Sequence, residues 1–292
     1  MYYRFFSRYL LAVGAGCCFI LTARAQASHN TARVVDASSG QPIPYASIGV
    51  CNRPLGTVAD AQGSFLLSRI GAADTDTLVI SCVGYVSRKL LAKQLPSETT
   101  LRLIPQTTKL ADVVVRGRKP KRILLGHNWV SAFTMLGFYT QADTVPHIRL
   151  GRELGPVLKI KHPTQLESFH LFTSGRGFKT VTFRLNIYAM QDGEPQHSLL
   201  RQDIIFTVNG QQRAWTEIDL RPYNILLAGP QEIVATAQWL ASEAGRPNSL
   251  FLDIPTHLSA FHTTFRRDKS GQVWTKIGGN PSFYFSALSY PE

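Results

Sequence analysis

The feature that most constrains this chain is a period-two alternation of apolar and polar residues. Across residues 181–188, Val181, Phe183, Leu185 and Ile187 alternate with Thr182, Arg184, Asn186 and Tyr188. Successive side chains of a strand point to opposite faces, so this stretch reads as a strand with one apolar face and one polar face. Other short apolar runs are separated by turn-forming clusters: Asp36-Ala37-Ser38-Ser39-Gly40, Asp60-Ala61-Gln62-Gly63, Asp192-Gly193, Asn209-Gly210 and Ala228-Gly229-Pro230. Strands bounded by such punctuation predict an all-β chain. Only 17% of the residues are charged, against roughly 25% in a typical soluble domain, and the Phe, Tyr and Thr content suits pleated, half-buried surfaces. At 44% hydrophobic the sequence is not that of a disordered chain. Its 292 residues suffice for one large domain or two small ones.

The first 25 residues read as a secretory signal. Arg4 and Arg8 precede an apolar run from Leu10 to Leu21, and Ala23-Arg24-Ala25 supplies the small residues that place cleavage before Gln26. Cys17 and Cys18 lie inside the apolar run, one residue out of register with a lipid-attachment motif. Loss of Arg4, Arg8 and Arg24 takes the formal charge from +12 to +9. No later apolar run reaches the roughly 18 residues of a transmembrane helix, so none is expected after cleavage. Cys51 and Cys82 remain, as a bridge or as two buried thiols. The basic residues cluster only at Arg116, Arg118, Lys119, Lys121 and Arg122. That is neither a basic helix nor a zinc-finger pattern, so no nucleic-acid partner is expected. Lipid headgroups, lipopolysaccharide or acidic glycans fit such a charge in an exported chain, and a solvated linker kept soluble by its charge accounts for the cluster better still.

Residues 31–105 hold about seven short strands, among them Ala32–Val35, Tyr45–Val50, Ser64–Ser68, Thr77–Val83 and Leu101–Ile104. Gly56 and Gly63 stand where turns demand positive φ, and Asp60 can bond the backbone of its own turn. Phe65 and Tyr85 are bulky anchors for a small core. The string Val34-Val35-Asp36, Gly40, Pro42 to Ile48, Gly56-Thr57, Asp60, Gly63-Ser64-Phe65 and Gly84-Tyr85 resembles the carboxypeptidase-regulatory-like domain of exported Bacteroidetes proteins. The resemblance implies a transthyretin-like (prealbumin-like) β-sandwich and structural roles for Gly56, Asp60, Gly63, Phe65, Gly84 and Tyr85. It implies no peptidase chemistry, because that domain sits beside the enzyme. Residues 109–117 are similar to the segment that joins such domains to the plug of TonB-dependent receptors, although no plug or barrel follows.

The expected organisation is a signal over 1–25, the regulatory-like sandwich over 26–105, a linker or connector over 106–146 and an antiparallel jelly-roll-like β-sandwich over 147–292. Further strands are expected at Asp203–Val208, Ala214–Leu220, Gln231–Leu240, Phe251–Ile254, Val273–Ile277 and Ser282–Leu288, and an ordinary strand connection at Ser174-Gly175-Arg176-Gly177.

Motifs for chemistry are lacking. No His is followed by Glu at the spacing of a zinc carboxypeptidase, and there is no His-Glu-x-x-His, no Gly-x-Ser-x-Gly, no phosphate loop and no EF-hand. No cofactor or metal is expected. His162, His170, His257 and His262, with Asp203, Asp219 and Asp253, form the loosest of metal or acid–base candidates. Glu153, Glu167, Glu217 and Asp219 contain a conceivable carboxylate pair for glycoside hydrolysis. Of the four tryptophans, Trp239 is in phase with Ile233, Ala235 and Ala237 and belongs in a core, while Trp215 and Trp274 have polar neighbours and are the ligand-stacking candidates.

The expectation is therefore a non-enzymatic exported protein of the periplasm or outer membrane, a binding or scaffold module for a cell-envelope protein or glycan. The alternatives are a carbohydrate-binding or glycan-active C-terminal sandwich, and a remnant of a TonB-dependent receptor.

Overall fold

A computed structural model describes residues 31–97, 99–106, 119–131, 134–139, 146–245 and 250–291. The expected signal, the strand around Val113 and the cationic Arg116 and Arg118 lie outside the described residues. The chain is all-β, as its alternation predicts, with four short 3-10 turns and no α-helix among the described residues.

The N-terminal sandwich comprises β1 (Thr31–Asp36), β2 (Ser47–Val50), β3 (Gly56–Val58), β4 (Ser64–Leu66), β5 (Thr77–Ser81), β6 (Arg88–Leu91) and β7 (Thr100–Leu103). One sheet has the order β4-β1-β7, with β1 and β7 parallel; the other has the order β3-β2-β5-β6 and is antiparallel throughout. Val34, Ile48, Phe65, Leu78, Ile80, Leu101 and Leu103 fill the space between them. The turn at Asp60 is built as its residue types demand. The Asp60 carboxylate accepts from the amides of Gln62 and Ser64 at 2.9 and 2.8 Å, and Gly63 takes φ +70°, where a Cβ would meet the carbonyl of Val34 at 2.6 Å. Gly56 and Gly84 also have positive φ. Tyr85 donates from its hydroxyl to Asp36 at 3.0 Å.

The C-terminal sandwich contains β8 (Lys121–His127), β9 (Met135–Tyr139), β10 (Glu153–Ile160), β11 (Thr164–Arg176), β12 (Phe178–Gln191), β13 (Glu194–Ser198), β14 (Ile204–Asn209), β15 (Arg213–Asp219), β16 (Leu226–Leu227), β17 (Gln231–Ala244), β18 (Phe251–His257), β19 (Thr263–Arg267), β20 (Thr275–Gly278), β21 (Asn280–Pro281) and β22 (Phe283–Ser289). A seven-stranded sheet runs β13-β12-β17-β10-β19-β20 with β14 also on β12. An eight-stranded sheet runs β21-β18-β11-β22-β8, with β15 and β16 on β11 and β9 on β18. Phe169, Leu171, Phe183, Leu185, Ile187, Phe283 and Phe285 meet in the core, and Trp239 is fully buried there as its phase predicts.

Two expectations are corrected. The stretch 106–146, read as a connector, supplies β8 and β9, which pair with β22 and β18 of the C-terminal sandwich. Lys121, Arg122 and Gly126 break up the apolar signal of β8, since an edge strand tolerates charge and glycine that a central one does not. The Ser174–Gly177 connection is instead the end of a 13-residue strand, where Ser174, Gly175 and Arg176 pair with Asp253, Leu252 and Phe251.

The two sandwiches pack face to face, so the four sheets form one stack. In β2 and β5, Ile48, Val50, Leu78 and Ile80 point into the N-terminal core. The alternate residues Ser47, Gly49 and Ser81 point at the seven-stranded sheet and the loop that follows β19. Ser47 accepts from Gln238 at 3.2 Å, the Ser81 and Ser270 hydroxyls lie 3.0 Å apart, and the Asn52 amide donates to the Gly271 carbonyl at 2.9 Å.

Candidate functional site

The polar face of β12 is covered by the N-terminal sandwich, and burial forces every charge on it to find partners. Arg184 is 2% exposed. Its guanidinium donates to both oxygens of Asp203 at 2.6 Å, to Gln238 Oε1 at 3.1 Å and to the backbone oxygen of Tyr45 at 3.1 Å. One side chain thus binds its own sheet, the loop before β14 and the opposite sandwich. Cys82 Sγ stands 3.5 Å from Arg184 Nη2 and 3.8 Å from Asp203 Oδ2. Burial pushes the Cys82 thiol up to about 11, so it stays protonated and unreactive near neutral pH.

Glu153, on β10, is fully buried. Its Oε1 accepts from Asn186 at 2.7 Å, Tyr188 at 2.8 Å and Thr236 at 2.5 Å; its Oε2 accepts from Arg267 Nε and Nη2 at 2.9 and 2.8 Å. Burial, reinforced by the Glu153 charge, pushes the Tyr188 phenol upward and keeps it a donor. Trp274 covers one face of Arg267, with the guanidinium carbon 4.1 Å from the ring centroid.

Beside this network a cleft of about 790 Å³ opens between the sandwiches, within the size range of ligand pockets, which favour domain interfaces. Ser47, Ser81, Tyr85 and Lys89 line it from one side, and Asn186, Tyr188, His197 and Gln238 from the other. Its charged lining residues are Lys89, Arg184 and Arg267, all cationic; Asp203 and Glu153, which pair with the two arginines, are not among the lining residues. Arg267 directs Nε and Nη2 at Glu153 and Tyr188, while its Nη1 makes no hydrogen bond among the described residues.

The residues singled out from sequence are divided among different places. Gly84 and Tyr85 line the cleft, whereas Gly56, Asp60, Gly63 and Phe65 shape the turns and core of the N-terminal sandwich. Trp274 packs on Arg267 and Tyr188 beneath the cleft; Trp215 lies on the outer face of the eight-stranded sheet against Phe172 and Tyr284. Both tryptophans are half-buried, and they share no site. The histidine and aspartate candidates are dispersed, and among the described residues no three His, Cys, Asp or Glu side chains form a metal-binding group. Of the four glutamate and aspartate candidates, Glu167, Glu217 and Asp219 line a separate groove, while Glu153 is consumed by Arg267. Cys51 and Cys82 are free thiols. The Cys51 amide bonds the Thr77 carbonyl at one end of the β2–β5 pair and Cys82 lies beyond the other end, roughly 16 Å away at strand rise. A disulfide cannot span that distance. No helix among the described residues is long and apolar enough to cross a membrane.

Arg184, Tyr188 and Arg267 were not singled out as site residues, and Glu153 was named only as one of a carboxylate pair for glycoside hydrolysis. The one available signal was the character of the polar face at Arg184, Asn186 and Tyr188, which combines hydrogen-bonding and amphipathic types where a solvated face favours Lys and Glu.

Residues 31–115 match the family model of the CarboxypepD_reg-like domain. No curated protein matches the chain. Among solved structures it is similar to one of the infectious bursal disease virus Gx strain, at 10% identity and a TM-score of 0.26, over 89% of this chain and 55% of that one. It is also similar to a crystal structure of the IBDV viral particle, at 8% identity and a TM-score of 0.19, over 89% and 60%. The chain therefore spans little more than half the length of these two, and likeness at that level carries no argument about its fold or role.

Proposed function

We propose that the protein is an exported binding module of the cell envelope, non-catalytic, that holds an anionic group of an envelope partner in the cleft between its sandwiches. The observation that carries this reading is the composition of the cleft. Its charged lining groups are all cationic, and Arg267 Nη1 is available for a further acceptor. Arg267 is held rigid by Glu153, so a ligand meets a preorganised donor and does not have to order it, while Arg184, buried and bound to Asp203, contributes only its position in the cleft wall. Lys89 and His197 stand exposed at the rim, where the Lys89 charge raises association rate and selectivity more than depth of binding. The apolar segment ending at Ala23-Arg24-Ala25 supports export, and the positive balance of the rest of the chain supports an acidic partner.

The test uses the chain from Gln26 as bait against solubilised envelopes of its own cells. A partner retained by the unaltered chain and lost with the rim substitutions Lys89→Glu and His197→Glu is the expected result. Equal retention by both chains, or no retention by either, contradicts the reading.

A further inference from the structure

The outer face of the eight-stranded sheet, turned away from the N-terminal sandwich, carries a second and chemically different surface. The register of β8, β22, β11 and β15 lays Gly126, Tyr284, His170 and Glu217 in one row across four strands. The neighbouring row is Leu124, Ser286, Ser168 and Asp219. The Tyr284 and His170 rings are stacked, with centroids 4.2 Å apart and planes within 3°. His170 Nε2 is held by the hydroxyls of Ser168 and Ser286 at 2.8 and 3.3 Å, which fixes its ring and so fixes Tyr284. Trp215 meets Tyr284 edge-on at 5.1 Å. His170 thus covers one face of Tyr284. On the other side of β22 the residue opposite is Gly126, with no side chain to cover the second face.

A groove of about 450 Å³ runs alongside this aromatic group, with Arg122, Glu167, Glu217, Asp219 and Arg221 among its lining residues. Arg221 is bound to Asp219 through two contacts of 2.8 and 2.9 Å, leaving the acidic groups of the groove in excess. The lining is therefore unsuited to an anion, the reverse of the interdomain cleft. What it offers is an aromatic ring with a glycine as its cross-strand neighbour on one side, planar carboxylates that accept from hydroxyls, and planar guanidinium groups that donate to them. A pyranose presents the matching pair of surfaces: an apolar face of C–H groups and a rim of vicinal hydroxyls.

We infer that this face binds a neutral oligosaccharide, one sugar ring lying against Tyr284 over Gly126 and its neighbours running along the groove between Arg122 and Asp219. This goes beyond the binding proposed for the cleft, uses none of its residues, and stands or falls independently of it.

The experiment titrates the chain from Gln26 with cellohexaose, maltohexaose, laminarihexaose and chitohexaose, following tryptophan fluorescence and ligand saturation-transfer signals. At least one hexasaccharide is expected to bind saturably. Tyr284→Ala is expected to weaken it by about tenfold or more, while Tyr284→Phe, which keeps the ring, stays within about twofold. Glu217→Ala alters an exposed side chain that the fold does not need, and it is expected to weaken the same sugar, which keeps the test decisive should Tyr284→Ala fail to fold. Absence of saturable binding with all four sugars, or unchanged affinity in both Tyr284→Ala and Glu217→Ala, would overturn the inference.

Discussion

Arg184 and Asp203 form a two-point ion pair, with both contacts at 2.6 Å, at the seam between two β-sandwiches. The same guanidinium reaches the Tyr45 carbonyl of the other sandwich. A pair buried this deeply adds little stability compared with apolar residues of equal volume, yet losing one member is costly because the other stays charged and unpartnered. Arg184→Met is therefore expected to destabilise the chain by about 3–5 kcal/mol in urea unfolding. Replacing Asp203 with Leu as well should recover much of that loss. An additive double mutant would show that the two residues act separately.

Gly49 is a point of close approach between the sandwiches. A Cβ there would fall 1.4 Å from the carbonyl oxygen of Ser270, an overlap no side-chain adjustment relieves because the obstacle is backbone. Gly49→Ala is expected to separate the sandwiches while leaving each core intact. Calorimetry should show one cooperative transition for the unaltered chain and two for the variant, and a variant that still melts in one transition at the same temperature would contradict the close packing.

His127 makes stability fall with acid. Its ring is buried against Trp129 and near His257, and its Nε2 has no hydrogen-bond partner among the described residues. Burial, with His257 and His262 adding repulsion, holds its pKa below 6.5. As pH drops below about 6.5 the unfolded chain takes the proton first, so stability declines by up to ~1.4 kcal/mol per pH unit from this group. His127→Leu should flatten the decline between pH 6.5 and 5, and an unchanged slope would contradict the assignment.

Asp253 acts in the opposite sense. Burial raises its pKa from 3.8 to about 6. A raised carboxyl contributes stability at low pH that is lost as pH rises through that interval. Asp253→Asn is expected to be more stable than the unaltered chain at pH 7.5 and to lose the advantage at pH 3.5. Equal stability at pH 7.5 would show that the carboxylate is already compensated.

The Cys51 and Cys82 thiols should remain unpaired even in an oxidising compartment. Thiol titration of unfolded protein prepared without reductant should find both free. Within the folded chain Cys82, pushed up to about 11 by burial, should react more slowly with an alkylating agent than an unhindered thiol. Recovery of a Cys51–Cys82 disulfide would contradict the strand register.

Much of the fold was legible where local chemistry alone decides it. Asp60 and Gly63 specify their turn through bonds made within five residues, and the alternation of β12 fixes which side faces the core. The site was illegible because its partners are distant in sequence. Period two separates Arg184, Asn186 and Tyr188 from Phe183 and Leu185, but it does not distinguish a face turned to water from one covered by another sandwich. Ser47 and Gly49 are small for a related hidden reason, since Ser47 faces Gln238 of β17 and Gly49 admits the loop of Ser270. β8 escaped notice because its outer face carries Arg122 and Leu124 and its pairing with β22 joins residues more than 150 positions apart. Trp215 was legible as a half-exposed ring, whereas the partners that give it significance, Tyr284 and His170, lie on two other strands.

The most direct test of the cleft replaces His197, at its rim, with a photoreactive benzophenone side chain in the full chain expressed in its own cells, beside a control carrying the same group at Lys179 on the far end of β12. Irradiation is expected to attach one defined envelope partner at position 197 and not at 179, with the adduct lost when Lys89 is changed to Glu. Identical adducts from both positions, or none from position 197, would contradict the claim that the cleft between the sandwiches is where this protein binds.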